Sequence, residues 1–362
     1  GIILLALGAA LILRSGHHPA LAGLGIAAAL FHSLNHAVFK ALLFMGAGTI
    51  QSATHSRDLE RLGGLMRNMP WTGACFTIAA AAALALPPFN GFASEWLIFQ
   101  SLITVGLHVS AAGIGISAIL AGVMLGLSGA LAAVCFVKAV GITFLGQPRS
   151  AAAASAVEVG GLERFGAVLL ACCCVLLGLV PPLVLRLLEP VSRSLVGVSP
   201  LGVSSSWLSG VDVPGTAGHT ALQPVGLLLG LLGAGILSLV LMGAFRRRTK
   251  ARVSKTWNCG VTLTPRMQYS STSFAQPIRR MFSAIIWPER SLKVETSHSP
   301  YFVSAISYEV SLKPLFERFV YGPVHALFLR VIQLVRLLQN GSIHAYLAYV
   351  FIALVVVLAV AR

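Results

Sequence analysis

The sequence predicts an all-α, multi-pass membrane protein, and its composition is the first observation behind this prediction. Of the 362 residues, 56% are hydrophobic and only 10% are charged, and the mean hydropathy is +0.85. Soluble globular domains carry about 25% charged residues. The second observation is a series of apolar runs near the length of about 20 residues that crosses hydrocarbon, which predicts about seven or eight transmembrane segments.

The apolar runs define these segments in chain order. The predicted spans are 1–13, 20–50, 72–87, 95–107, 110–145, 165–186, 222–245 and 343–361. The first is a partial span, and the second begins with a predicted interfacial stretch. The run 110–145 would be about 54 Å long as one straight helix, against a hydrocarbon core of about 30 Å. The run is therefore predicted to be either two helices or one helix broken near Leu127, Ser128 and Gly129. We favour the broken helix, because unwound backbone is tolerated where it lines a cavity.

The connections complete the predicted organisation. Residues 187–220 form a predicted Ser- and Gly-rich loop with little regular structure, and 323–339 a predicted amphipathic helix. The predicted divisions are a transmembrane region over 1–190, a loop and a further span over 191–245, a basic amphipathic cytoplasmic-side segment over 246–342 and a final span over 343–362. Since Gly1 lies inside an apolar run, we expect the sequence to be the C-terminal part of a longer protein.

The net charge of +15 raises the question of a nucleic-acid partner. The basic residues, however, cluster in connections next to spans, above all over 246–255, and this is typical of cytoplasmic loops in membrane proteins. The charge pattern therefore favours a lipid bilayer over a nucleic acid. We expect the loops 14–19, 146–164 and 246–342 to share the cytoplasmic side, although Arg57, Arg61 and Arg67 lie in an opposite loop.

The six cysteines show no metal-site signature. The sequence has no CxxC pair typical of zinc, and Cys172, Cys173 and Cys174 point in three directions on one helix. It also has no phosphate-binding loop, no Ser/His/Asp set and no paired carboxylates. We therefore expect no catalytic centre, no metal and no cofactor in this chain itself.

Three basic residues share one face of a predicted apolar helix: His32, His36 and Lys40. Steps of four residues turn about 400°, so the side chains form a stripe about 12 Å long. A lysine in such a segment costs roughly 2.5 to 3.5 kcal/mol on insertion scales, and histidine changes charge near neutral pH. The pattern favours a proton path. One alternative is structural hydrogen bonding near a helix end. The other is a metal site, which is disfavoured because no carboxylate or cysteine accompanies the two histidines.

Lys138 and Glu95 are two further candidates for the path. Lys138 lies in an apolar run shortly before Gly146, so a position reaching the membrane interface is the alternative. Glu95 follows Pro87 and Pro88 at the start of a predicted span. It either partners a lysine or interacts favourably with a helix N-terminus, and the sequence leaves both open.

Several motifs carry a resemblance to a known family. The runs NHAVFKALLFMGAG (35–48) and LPPFNGFASEWLIFQ (86–100) resemble the antiporter-like membrane subunits of respiratory complex I, group 4 membrane hydrogenases and multisubunit sodium/proton antiporters. The run FVKAVGITFLGQPRS (136–150) is similar to the family's late broken helix with its lysine. The tail segments TWNCG (256–260), YSSTSFAQPIRRMF (269–282) and NGSIHAYLAYVF (340–351) are similar to the large antiporter-like subunit of hydrogenase-4 and formate hydrogenlyase.

The resemblance implies an antiporter-like helix bundle in which His32, His36 and Lys40 match the central relay and Lys138 matches the terminal lysine. It implies a subunit that couples electron transfer in partner subunits to translocation of protons, or of sodium ions. The alternative is a component of a stand-alone multisubunit Na+/H+ antiporter. The implied partners are other membrane subunits and peripheral hydrogenase-type subunits, which would hold a nickel–iron centre and iron–sulfur clusters, at the bacterial cytoplasmic (inner) membrane.

Overall fold

The chain divides into two compact units, Gly1–Phe274 and Ala275–Arg362. Both contain mainly α-helix, with short antiparallel strands in each. The computed structural model describes residues 1–197, 202–203, 210–213, 220–246, 254, 257–296, 303–311, 314, 316–338 and 341–361.

Helices of very different length build the first unit. They are α1 (Ile2–Ser15), α2 (Pro19–Thr54), α3 (Pro70–Ala83), α4 (Asn90–His108), α5 (Ala112–Phe144), α6 (Ala151–Ala154), α7 (Gly161–Leu179), α8 (Pro181–Val196), α9 (Pro224–Arg246) and α10 (Ser271–Met281), which continues into the second unit. The strands β1 (Gly202–Val203), β2 (Val211–Val213) and β3 (Thr220–Leu222) form a small antiparallel sheet. A proline begins α2, α3 and α8, since its missing N–H group is not needed in a first helical turn.

Helix α2 runs the length of the bundle, because its 36 residues span about 54 Å. Helices α3 and α4 lie against it one after the other. Helix α3 packs on the C-terminal half, where Phe39 and Cys75 share an apolar cluster. Helix α4 packs on the N-terminal half, where the ring centroids of His18 and His108 are 5.6 Å apart. The two helices therefore form one traverse of the bundle with a break in its middle.

Helices α7 and α8 form a second traverse of the same kind. Helix α7 packs on the C-terminal half of α2, and α8 reaches the other end, where the Ser192 hydroxyl donates to the carbonyl of Gly23 at 3.2 Å. The two breaks touch, since a Cβ added at Gly178 would collide with the carbonyl oxygen of Pro88. A double proline follows α3 at the first break, and another begins α8 at the second. These prolines determine where the two traverses are interrupted.

The predicted break in the run 110–145 is wrong. Helix α5 is one continuous helix of 33 residues, and the Ser128 hydroxyl donates to the carbonyl of Met124 one turn back at 2.7 Å. The polar side chain is thus satisfied without unwinding the backbone. A helix longer than the hydrocarbon thickness is accommodated by tilting, so length alone does not require a break.

Two other predicted segments differ in detail. Residues 20–50 belong to the single helix α2, with no separate interfacial stretch at its start. Part of the predicted loop 187–220 is helical, because Leu185 and Val196 of α8 are buried in the same apolar core as α1 and α2. The basic cluster 246–255 lies almost entirely outside the described residues.

The loops that follow α2 and α5 meet at one end of the bundle, here called the Thr54 end. The Arg149 guanidinium donates to the carbonyl of Leu62 at 2.8 Å. The opposite end, here called the His18 end, holds the turn before α2. Since α3 and α4 make a single traverse, the loops 14–19 and 146–164 lie at opposite ends, and the prediction that they share a side is wrong. Three further arginines lie with Arg149 at the Thr54 end: Arg57, Arg61 and Arg67.

Residues 257–274 are fastened to the Thr54 end by side-chain contacts. The N–H of Gln147 donates to Oε1 of Gln268 at 2.9 Å, and Nε2 of Gln268 donates to the carbonyl of Gln147 at 2.8 Å. A Glu60 carboxylate oxygen accepts from both the N–H and the hydroxyl of Thr272 at 2.7 Å. These contacts, here called the tail clasp, cap the start of α10.

The second unit contains α11 (Ser283–Ile286), β4 (Glu289–Thr296), β5 (Val303–Ser311), a π-helical turn (Glu317–Tyr321), α12 (Gly322–Leu338) and α13 (Ile343–Val360). Helix α12 covers most of the predicted amphipathic helix 323–339, and α13 is a helix at the position of the predicted final span, with the length and apolar composition to cross a membrane. The antiparallel hairpin of β4 and β5 was not predicted. Its register pairs Leu292 with Tyr308 and Val294 with Ile306.

Five helices in the described part of the chain are long and apolar enough to cross a membrane: α2, α5, α7, α9 and α13. The chain is thus the expected polytopic helix bundle. The predicted spans 72–87 and 95–107 are the two halves of one traverse, which reduces the eight predicted spans to seven, within the predicted number.

Candidate functional site

The stripe residues lie one helical turn apart on α2 and share one face. His32 is only 2% exposed, whereas His36 is exposed and Lys40 is half-buried. The ring centroids of His32 and His36 are 6.2 Å apart. The ring of Phe39 packs edge-on against both, at 6.4 Å and 5.3 Å. The stripe thus runs from a buried histidine to an accessible lysine.

A buried polar cluster surrounds His32 where α4 begins. Nδ1 of His32 lies 3.0 Å from the hydroxyl oxygen of Ser94. Nδ2 of Asn35 donates to the carbonyl of Asn90 at 2.9 Å, and Nδ2 of Asn90 donates to Oδ1 of Asn35 at 3.3 Å. Ser94, Asn35 and Asn90 are all fully buried. Hydrogen bonds therefore join α2 to the first turns of α4 at the level of the stripe.

The double proline places this cluster inside the bundle. Pro87 and Pro88 lack the N–H groups that would continue α3, and the chain becomes helical again at Asn90. A helix that begins there leaves N–H groups of its first turn without intrahelical acceptors. Gly91 lets the turn fit, since a Cβ at this position would collide with the carbonyl oxygen of Ala82.

Glu95 lies in the second turn of α4, next to Ser94, and is half-buried. The backbones of Gly106 in α4 and Gly115 in α5 approach closely, since a Cβ at Gly115 would lie 3.5 Å from the Gly106 carbonyl oxygen. Glu95 is eleven positions before Gly106, which puts it within about 20° of the same helix face. Ser94 therefore faces α2, whereas Glu95 is on the side of α4 that approaches α5.

Lys138 is half-buried on the C-terminal half of α5. Phe136 packs against the apolar cluster that contains Phe39. Lys138, two positions later, points about 200° away from that contact. Within the described residues, no hydrogen bond or ion pair joins Lys138 to the stripe or to Glu95. The structure thus holds His32, His36 and Lys40 on one face of α2, while Lys138 is on another helix and points away from the contact made by Phe136.

The hydrogen-bond partner of His32, Ser94, and the neighbouring Asn35–Asn90 pair were not predicted from the sequence. Ser94, Asn35 and Asn90 all stand inside the two motifs as polar side chains among apolar ones. Buried polar side chains nearly always have hydrogen-bond partners. The three polar residues could therefore have indicated a buried hydrogen-bonded cluster.

The cysteines and the other metal-binding side chains form no metal site in the described part of the chain. No group of three His, Cys, Asp or Glu side chains comes close enough there to hold an ion. Cys75 and Cys174 are buried in the apolar cluster of α2, α3 and α7, as small hydrophobic residues. The other cysteines are exposed or half-buried.

Sequence comparison identifies proteins that are similar to this chain. Residues 20–120 match the family described as NADH:quinone oxidoreductase/Mrp antiporter, transmembrane. The chain is 38% identical over 360 residues to hydrogenase-4 component B of Escherichia coli (strain K12), covering 99% of this chain and 53% of that protein. It is 32% identical over 291 residues to formate hydrogenlyase subunit 3 of the same strain, covering 79% of this chain and 44% of that protein. The chain thus spans about half the length of the curated relatives it matches.

A solved structure shares the fold. A chain of the membrane-bound sulfane sulfur reductase, an archaeal respiratory membrane complex, superposes with a TM-score of 0.65 at 23% identity, covering 99% of this chain and 54% of that one. This likeness supports a multi-pass membrane architecture. The motifs, the fold and the relatives agree, and the chain belongs to the antiporter-like membrane subunits, of the type found in hydrogenase-4 and formate hydrogenlyase.

Proposed function

We propose that this chain translocates protons as the antiporter-like membrane subunit of a hydrogenase-type respiratory complex, with sodium ions as the alternative cargo. Electron transfer in partner subunits drives the transport. The observation that carries the proposal is the buried His32, hydrogen-bonded at the break between α3 and α4 and continued by His36 and Lys40. Ionisable groups inside membrane segments are costly, so they are retained mainly for function.

The proposed path uses five residues. His32, His36 and Lys40 form its central relay, spaced for transfer through one or two waters, and Lys138 is its terminal lysine. Glu95 connects the two lysine-bearing helices, because it lies on the face of α4 that turns toward α5. A carboxylate there can accept a proton from one side and release it toward the other.

The partners and the location follow from the same proposal. The names of the relatives support other membrane subunits and peripheral hydrogenase-type subunits as partners. Those peripheral subunits would hold the nickel–iron centre and the iron–sulfur clusters, and the membrane would be the bacterial cytoplasmic membrane. We assign the transport machinery of this chain to residues 1–190.

Replacement of Lys40 by methionine tests the proposal. Methionine preserves the length and the apolar fit but carries no proton. Proton uptake driven by electron transfer, measured with a pH-sensitive dye in liposomes containing the assembled complex, is expected to fall at least about ten-fold. The matched control is Lys293→Met, the same change at an exposed position of β4, which leaves uptake unchanged. Normal uptake by both Lys40→Met and Lys138→Met complexes would overturn the proposal.

A multisubunit Na+/H+ antiporter component is the second candidate, because the matched family includes the Mrp antiporters. Affinity purification from the native membrane separates the two. Hydrogenase or dehydrogenase subunits in the purified complex support the first proposal. Purification with membrane subunits alone, together with sodium-driven proton movement, supports the second.

A further inference from the structure

Ser94 places one hydroxyl between a histidine and two carbonyl groups. Its oxygen lies 3.0 Å from Nδ1 of His32, 3.1 Å from the carbonyl oxygen of Gly91 and 3.3 Å from that of Asn90. Carbonyl oxygens only accept hydrogen bonds. An imidazole nitrogen either donates or accepts, depending on which of the two ring nitrogens carries the proton.

The two possible arrangements differ in the number of hydrogen bonds that they make. If the Ser94 hydroxyl donates to Nδ1, its only proton is used there, and neither carbonyl receives a bond from Ser94. If the hydroxyl donates to Gly91, as helical serines commonly donate to a carbonyl one turn back, its oxygen is free to accept from an Nδ1–H of His32. The second arrangement makes two hydrogen bonds in a chain, and a buried site favours the arrangement that satisfies more polar groups.

We propose that Ser94 holds neutral His32 as the Nδ1–H tautomer, so that His32 gains and releases its exchangeable proton at Nε2 alone. The Nδ1 side of the ring leads through Ser94 to a backbone carbonyl, which cannot pass a proton on. Ser94 is therefore a positioning residue. His32 is an end point of the stripe rather than a link in it, and a proton continues along His36 and Lys40. This last consequence rests on the proposed function, whereas the tautomer does not.

Nitrogen-15 NMR of the histidine-labelled protein in lipid bilayers tests the tautomer, with the His32 signals assigned from a His32→Gln spectrum. The wild type is expected to show a protonated Nδ1 and an unprotonated Nε2. Ser94→Ala removes the hydroxyl and shifts the tautomer ratio roughly five-fold toward Nε2–H, the effect of about one hydrogen bond. Ser94→Thr retains a hydroxyl and restores the wild-type ratio.

The matched control is Ser101→Ala. Ser101 is a fully buried serine of the same helix whose hydroxyl donates to the carbonyl of Ile98 at 2.8 Å, so its replacement leaves the His32 spectrum unchanged. An Nε2–H ring in the wild type, or an unchanged ratio in Ser94→Ala, overturns the inference. Failure of the proposed function appears separately, as normal proton uptake by the Lys40→Met and Lys138→Met complexes whatever the tautomer of His32.

Discussion

Asn35 and Asn90 join α2 to α4 through buried hydrogen bonds. These bonds take the place of the hydrogen bonds that both side chains would otherwise make to water. Replacing Asn35 by alanine removes the donor that lies 2.9 Å from the Asn90 carbonyl. It also removes the Oδ1 acceptor of the Asn90 amide. A buried group left without its partner costs about 1–3 kcal/mol, so Asn35→Ala is expected to lower the Tm measured in detergent.

Asn68→Ala is the matched control for this substitution. Nδ2 of Asn68 also donates to a backbone carbonyl at 2.9 Å, that of Ala154, but the Asn68 side chain is exposed. Water replaces the lost bond there, and the Tm is expected to change little. Equal losses of stability in the two variants would contradict the view that burial makes the Asn35 contact important.

The stripe could be predicted from the sequence, and the partners of its first member could not. Helical spacing is a local property, so His32, His36 and Lys40 follow from the period of the helix. The contact of His32 with Ser94 joins residues 62 positions apart. It depends on how α4 packs against α2, which no local pattern encodes.

The junction between the two interrupted traverses leaves no room for a side chain at Gly178. A Cβ there would collide with the backbone carbonyl of Pro88, and backbone cannot rotate away as a flexible side chain can. Gly178→Ala is therefore expected to destabilise the protein by roughly 1–3 kcal/mol, typical of overpacking. A lower Tm in detergent measures this loss.

Gly166→Ala in the same helix provides the comparison. Its Cβ would meet only the methyl group of Met45, at 3.4 Å. Alanine favours a helix over glycine by about 1 kcal/mol, so Gly166→Ala is expected to leave the Tm unchanged or to raise it. A Gly178→Ala protein as stable as Gly166→Ala would show that the two breaks are not in tight contact.

The positions of helices could largely be predicted, but the places where they stop could be predicted only in part. The double proline at 87–88 indicated a stop shortly after the end of α3 at Ala83. The predicted span 165–186, in contrast, ran through Pro181 and Pro182, where α7 has ended and α8 begins. Ser128 and Gly129 suggested another stop that does not exist, because a serine inside a helix satisfies itself with a carbonyl one turn back. The strands β4 and β5 alternate in polarity, but no Asn-Gly or Asp-Gly turn marks a hairpin there.

The arrangement of the whole first unit predicts its orientation in the membrane. The Thr54 end gathers Arg57, Arg61, Arg67 and Arg149, and basic loops stay on the cytoplasmic side. Single accessible cysteines placed at the exposed Ser155 and Ser110 test this, in a protein whose exposed or half-buried cysteines are replaced by alanine: Cys135, Cys172, Cys173 and Cys259. A membrane-impermeant maleimide is expected to label position 155 only in inverted vesicles and position 110 only in intact spheroplasts.

The reverse labelling pattern would place the Thr54 end outside the cytoplasm. Labelling of both positions from the same side would contradict the single traverse formed by α3 and α4. Orientation could not be derived from the sequence alone, because it depends on the number of crossings. Two adjacent apolar segments look like two crossings until their packing along α2 shows that they are halves of one.

The tail clasp has a consequence for the order in which the protein matures. Its contacts join Gln268 to Gln147, 121 positions apart, and Thr272 to Glu60, 212 positions apart. A chain made from its N-terminus inserts α2 to α9 before either partner residue of the tail has been synthesised. The loops at the Thr54 end therefore lack these contacts with the tail while the chain is being synthesised. The tail clasp can form only after the first unit has been synthesised.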